Sequence, residues 1–205
     1  RVGVQQARKL FPAQLVATSG VRVIMGRGGS AGGAALACVG AVSGEGAVSC
    51  LSDVPAVGRN VKLAQVALAQ LRVFPKGVQL FLAEADDLQG CHCPDAILGF
   101  AVALALADAG LTAELGRTAV FGAVRPTGEV AIDSPDALEK ASFVVARAAA
   151  YGCDALVCPA AFATAPEAKL VAERAHVDLI GVTRLEQAIE FAKDAVQLHE
   201  LVMTL

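Results

Sequence analysis

Several things are missing from this 205-residue sequence, and each absence excludes something. There is no tryptophan, and only three histidines are present. No apolar run approaches the roughly 20 residues that a membrane span needs. The longest, Ala96 to Ala107, has twelve. There is no excess of positive charge: the formal net charge is -3, so no global field attracts nucleic acid. The N-terminus lacks a basic region followed by an apolar run, so no signal peptide is expected. A cytoplasmic or organelle-matrix location is the corresponding expectation, with no membrane partner. The chain opens on Arg1 rather than Met, as a fragment or a processed chain would. No phosphate-binding Gly-rich motif with Lys-Ser or Lys-Thr occurs, so this chain alone is not expected to hydrolyse ATP. Internal repeats and low-complexity linkers are absent too.

Apolar residues, in contrast, make up 55% of the chain, enough for a sizeable core. The length fits one large domain, or one domain with an appendage. The organising stretch is Cys93 to Gly110, CPDAILGFAVALALADAG. Pro94 and Asp95 open it, where proline is tolerated and an acid suits the helix dipole. Ala and Leu then dominate, and both are strong helix formers. A helix that is apolar all round is buried on all sides. Leu98, Val102, Leu104 and Leu106 are therefore expected deep in the core.

The remaining pattern alternates. Strands are predicted at Val21–Met25, Ala34–Val42, Ala47–Leu51 and Val78–Leu82, with Gly26 to Gly33 a hairpin connection. Val57, Val61, Ala64, Leu68 and Leu71 recur at helical spacing, which predicts a helix from Val57 to Arg72. Its wet face would carry Arg59, Lys62, Gln65 and Gln70. After the central helix come strands at Ala119–Val124 and Glu129–Ile132. A helix is predicted from Ser134 to Tyr151, closed by Gly152. A strand at Ala155–Cys158, a helix from Pro166 to Ala175, a strand at Val177–Val182 and a helix from Leu185 to about Ala195 complete the chain. A short helix is predicted at Gln5–Leu10. The fold class is α+β, with mixed sheets packed on a buried central helix. Residues 1–20 form an arm or the end of a preceding module, 21–195 the domain, and 196–205 a C-terminal helical tail.

This order of elements resembles the proteolytic domain of Lon-type ATP-dependent proteases over about residues 21–195. Gly32-Gly33 before a strand, Gly44-Glu45-Gly46 and the helix with Lys62-Leu63-Ala64-Gln65 match the family's N-terminal half in kind and spacing. Pro94 to Gly110 looks like the family's Pro-Ser-Ala-Gly segment and the apolar helix after it. Phe121-Gly122-Ala123-Val124 resembles its Thr-Gly-Glu-Ile strand. Tyr151-Gly152 to Pro159 and Val182-Thr183-Arg184-Leu185-Glu186 resemble its closing portion. The resemblance implies a compact domain that assembles in rings, possible hexamers included, with an ATPase module in cis or in trans and no cofactor.

The family's chemistry needs a serine nucleophile and a buried lysine of lowered pKa as its base. The resemblance places the serine at Asp95 and the lysine at Ser142. Lys140 is the displaced candidate base, two residues away and about 200° round the helix. The family's histidine-bearing strand is Val78-Gln79-Leu80-Phe81 here, and the glutamate of its Thr-Gly-Glu strand is Ala123. Joint loss at these positions points to a proteolytically inactive domain for assembly or for binding a partner or substrate. Two alternatives stand beside it. One is an active ATP-dependent serine endopeptidase with a non-standard Ser142–Lys140 dyad, although i and i+2 do not face each other on a helix. The other is a scaffold like the RadA-type DNA-repair domain, which would need Arg59, Lys62, Arg72 and Lys76 clustered on one nucleic-acid-binding face. Cys91-His92-Cys93 offers two thiolates and an imidazole to zinc, but no second pair accompanies it, and the reading is no metal. Cys93 with His92 as its base is disfavoured, because adjacent residues on an extended loop face opposite ways.

Overall fold

The computed structural model describes residues 19–27, 33–43, 46–51, 55–84, 86–111, 115, 117–133, 138–139 and 141–203. The predicted helix at Gln5–Leu10 lies outside them. The fold is α+β. Its first strands are β1 (Ser19–Gly26), β2 (Ala34–Ser43), β3 (Ser49–Leu51) and β4 (Val78–Glu84), with helix α1 (Pro55–Gln70) between the last two. A 3-10 turn (Cys93–Ala96) leads into the central helix α2 (Ile97–Asp108). Then follow β5 (Thr118–Val120), β6 (Ala123–Val124), β7 (Val130–Ala131) and α3 (Ala141–Ala150). The chain closes with β8 (Ala155–Pro159), α4 (Ala160–Thr164), α5 (Pro166–Ala175), β9 (Asp178–Val182) and α6 (Leu185–Met203).

Seven strands form one sheet in the order β3-β4-β2-β1-β5-β8-β9, and β6 and β7 form a separate hairpin. β1, β2 and β4 pair antiparallel, while β1-β5, β5-β8 and β8-β9 are parallel. The parallel half is the half where the sequence alternates strand and helix, as crossover connections require. Side chains alternate along β1 and so sort the core in two. Val21, Val23 and Met25 join α1, α2 and α6 on one face. Ile24 joins Leu36, Phe121, Val144, Val145 and Phe162 on the other, under α3, α4 and α5.

α2 is buried from Ile97 through Leu106, with Leu98, Leu104 and Leu106 at 0% exposure and Val102 at 1%. The helix lies directly on the sheet. A Cβ at Gly99 would overlap the Val23 side chain, so only glycine allows this approach. α1 packs against α2 beside β3, and α6 packs against α2 beside β9. The outcome is a helix with no wet side, which the lack of any polar stripe demanded.

Two expectations need correction. The single strand expected at Ala119–Val124 is two, because the chain turns off the sheet at Phe121-Gly122. Gly122 has φ 140° and the Pro159 ring 3.0 Å from where a Cβ would stand, so a side chain there would be strained by its backbone and tight against the ring. The helix expected from Ser134 begins, among the described residues, at Ala141, after a turn in which the Ala141 N–H donates to the Leu138 carbonyl at 3.1 Å. The C-terminal segment from 196 is helical and continuous with the helix before it: α6 runs on to Met203, and Val196 is fully buried. Among the described residues no helix is long and apolar enough to cross a membrane.

Candidate functional site

Asp95 stands where the 3-10 turn meets the end of β1, and it is 1% exposed. The Gly26 N–H donates to its Oδ2 at 3.1 Å. Backbone bonds fix the same corner. His92 N–H donates to the Gly26 carbonyl at 2.7 Å, and Gly122 N–H donates to the Asp95 carbonyl at 2.8 Å. Leu98 N–H then donates to the Gly122 carbonyl at 3.0 Å. The carboxylate thus joins the entry of the central helix to the end of β1, and the backbone joins it to the break after β5. Sequence logic places an acid here for the helix dipole; the hydrogen bond from β1 is a tertiary contact that no local pattern reveals.

Ser142 lies on the exposed side of α3, whose buried side is Ala141, Val144, Val145 and Ala148. One of the two positions matched to a catalytic dyad is therefore open to solvent and the other sealed. Lys140 lies outside the described residues. Gln79 is opposite Val42, Phe81 is opposite Gly40, and Ala123 is buried in β6. None of these three side chains can take or give a proton near neutral pH.

The Cys91-His92-Cys93 loop runs along the mouth of the β1–β2 hairpin, where Arg27 and Cys91 form an antiparallel bridge. Burial pushes the Cys91 thiol up, and the Arg27 side chain beside it offsets this only in part. Burial also pushes the Cys93 thiol up, with the Asp95 charge adding to it. Both shifts disfavour the thiolate, the reactive form. Cys93 Sγ donates to the Cys91 carbonyl at 3.7 Å, and His92 Nε2 is 3.3 Å from Asp133 Oδ2. His92 is thus held by a carboxylate, while Cys93 turns to the backbone. Among the described residues no three His, Cys, Asp or Glu side chains gather as a metal site would require.

A second carboxylate, Asp86, is held in a similar way. The Leu36 N–H donates to Asp86 Oδ2 at 2.8 Å, and the Tyr151 hydroxyl donates to Asp86 Oδ1 at 2.8 Å. Arg147 Nη1 lies 3.6 Å from the same oxygen, and its Nε donates to the Ala34 carbonyl at 2.9 Å. This ties the loop after β4, the start of β2 and the end of α3. Asp86 holds the Tyr151 hydroxyl above its ordinary value, chiefly through the hydrogen bond to the carboxylate. The only sequence signal was the pairing of a lone tyrosine with a nearby arginine at i and i+4, which points to no particular partner. The chain matches no family model and no curated protein.

Proposed function

We propose that this chain is a proteolytically inactive domain of the Lon protease-like kind, serving ring assembly or the binding of a partner or substrate within a larger ATP-dependent protein. The observation that carries the reading is the enclosed Asp95 at the nucleophile's place. A carboxylate there forms no acyl-ester intermediate of the serine type, and at 1% exposure it meets no substrate. An exposed Ser142 in the matched lysine position supplies no base. The element order supports the family reading: a buried apolar helix behind a Pro-Asp turn, a hairpin after the break at Gly122, and a closing run of alternating helices and strands. The proposed setting is the cytoplasm or an organelle matrix, with an ATPase module in cis or in trans.

Casein and fluorogenic-peptide cleavage, alone and with a cognate ATPase, tests the reading. No turnover above background is expected. Turnover that disappears in Ser142→Ala would establish the active alternative instead.

A further inference from the structure

The outer sides of α1 and α6 carry stripes of opposite charge. On α1 the exposed side chains are Arg59, Lys62, Leu63, Val66 and Gln70, which fall on one side of the helix at about 100° per residue. Leu63 is 40% and Val66 47% exposed. Between Pro55 and Ala83 the chain has four cations and no acid, against a net charge of -3 overall. Past the helix, Arg72, Phe74 and Lys76 are exposed as well, Phe74 at 61%.

The exposed side of α6 is the complement. It presents Gln187, Glu190, Asp194, Gln197 and Leu198, with Leu198 64% exposed and Lys193 half-buried at its margin. Among the described residues, Arg59, Lys62, Glu190 and Asp194 enter no ion pair. Arg59 and Lys62 are three apart and Glu190 and Asp194 four apart, spacings at which like charges repel on a helix. Each stripe covers eleven residue steps, about 16 Å. α1 lies beside β3 and α6 beside β9, the two edges of the sheet, so the stripes belong to opposite flanks of one molecule.

We infer that the α1 stripe of one copy docks on the α6 stripe of the next. Arg59 and Lys62 then face Glu190 and Asp194, and Leu198 covers Leu63 and Val66. The inference rests on the assembly role proposed above and names its surface. The contact is heterologous, so repeating it builds a ring where the rotation closes and a filament where it does not.

Sedimentation velocity across a concentration series tests this with native chain, Arg59→Glu/Lys62→Glu and Glu190→Lys/Asp194→Lys. All four positions are exposed, and matched circular dichroism verifies folding. Each reversal should weaken association roughly tenfold. An equimolar mixture of the two should restore it, because a contact between the two unlike variants joins opposite charges in either order. Native association left unchanged by both reversals would overturn this interface while leaving self-association standing. A native chain that is monomeric at every concentration would overturn both. Reversal at Arg59 and Lys62 that abolishes single-stranded oligonucleotide binding, with self-association intact, would assign the stripe to nucleic acid and overturn the inference.

Discussion

The two faces of the sheet hold their helices by different means. On the α2 face the anchor is apolar volume: a twelve-residue helix buried on every side, with Asn60 and Asp95 the buried polar residues near it among those described. On the α3 face the apolar cluster is smaller, and a polar clamp of Asp86, Tyr151 and Arg147 ties the helix to the start of β2. Both faces end at the same corner, since Gly26 and Ala34 are opposite each other in the β1–β2 pair. A carboxylate bonds a backbone amide on each strand there, Asp95 at Gly26 and Asp86 at Leu36. The lesson is that a carboxylate beside a helix start can serve the fold, with one oxygen bonded to a strand amide.

Changes on the α2 face should cost most. Leu104→Ala leaves a cavity in the core, and a loss of about 2–5 kcal/mol is expected in denaturant unfolding. A loss under about 1 kcal/mol would mean that the helix is less enclosed than its 0% exposure implies. The α3 face should respond less. Asp86→Ala removes the acceptor for the Leu36 amide and the Tyr151 hydroxyl at once, worth about 1–3 kcal/mol. Tyr151→Phe removes one of those bonds, about 1 kcal/mol, and a double-mutant cycle of the two should show coupling.

Alkaline pH sharpens the contrast, because the buried thiols and Tyr151 all shift the same way. Burial pushes the Cys158 thiol up to about 12, and Cys91, Cys93, Cys153 and Tyr151 are raised too. The unfolded chain loses these protons near their ordinary values while the folded chain keeps them. Stability from these groups is therefore complete below about pH 8.5, the ordinary thiol value, and falls as pH rises toward the folded values. The denaturant midpoint should drop between about pH 8.5 and 10.5, and Cys158→Ala should flatten that slope. Smallest of all, Ser142→Ala should change stability by less than about 0.5 kcal/mol, as for an exposed site without partners in the core.

Much of the α2 face was legible in the sequence. An apolar run without a polar stripe has one physical outcome, and Leu98, Val102, Leu104 and Leu106 lie where that outcome puts them. The wet side of α1 was legible from its spacing for Arg59, Lys62 and Gln70, while Gln65 is half-buried. The break at Phe121-Gly122 was not, since it depends on where Pro159 packs, 37 residues later. The two carboxylate clamps were hidden for the same reason. Asp95 and Asp86 bond to strands 69 and 50 residues before them, and only the assembled sheet brings those amides near.

Asp95 tests the central claim most directly: the place matched to a nucleophile is a structural clamp. Unfolding of Asp95→Ala and Asp95→Asn should be measured beside the native chain. Asp95→Ala orphans the buried Gly26 amide and should cost about 1–3 kcal/mol, while Asp95→Asn keeps a carbonyl oxygen for it and should cost less. Amide exchange at Gly26 should quicken in Asp95→Ala alone. An Asp95→Ala chain as stable as native, with Gly26 equally protected, would contradict the clamp and reopen Asp95 to a chemical role.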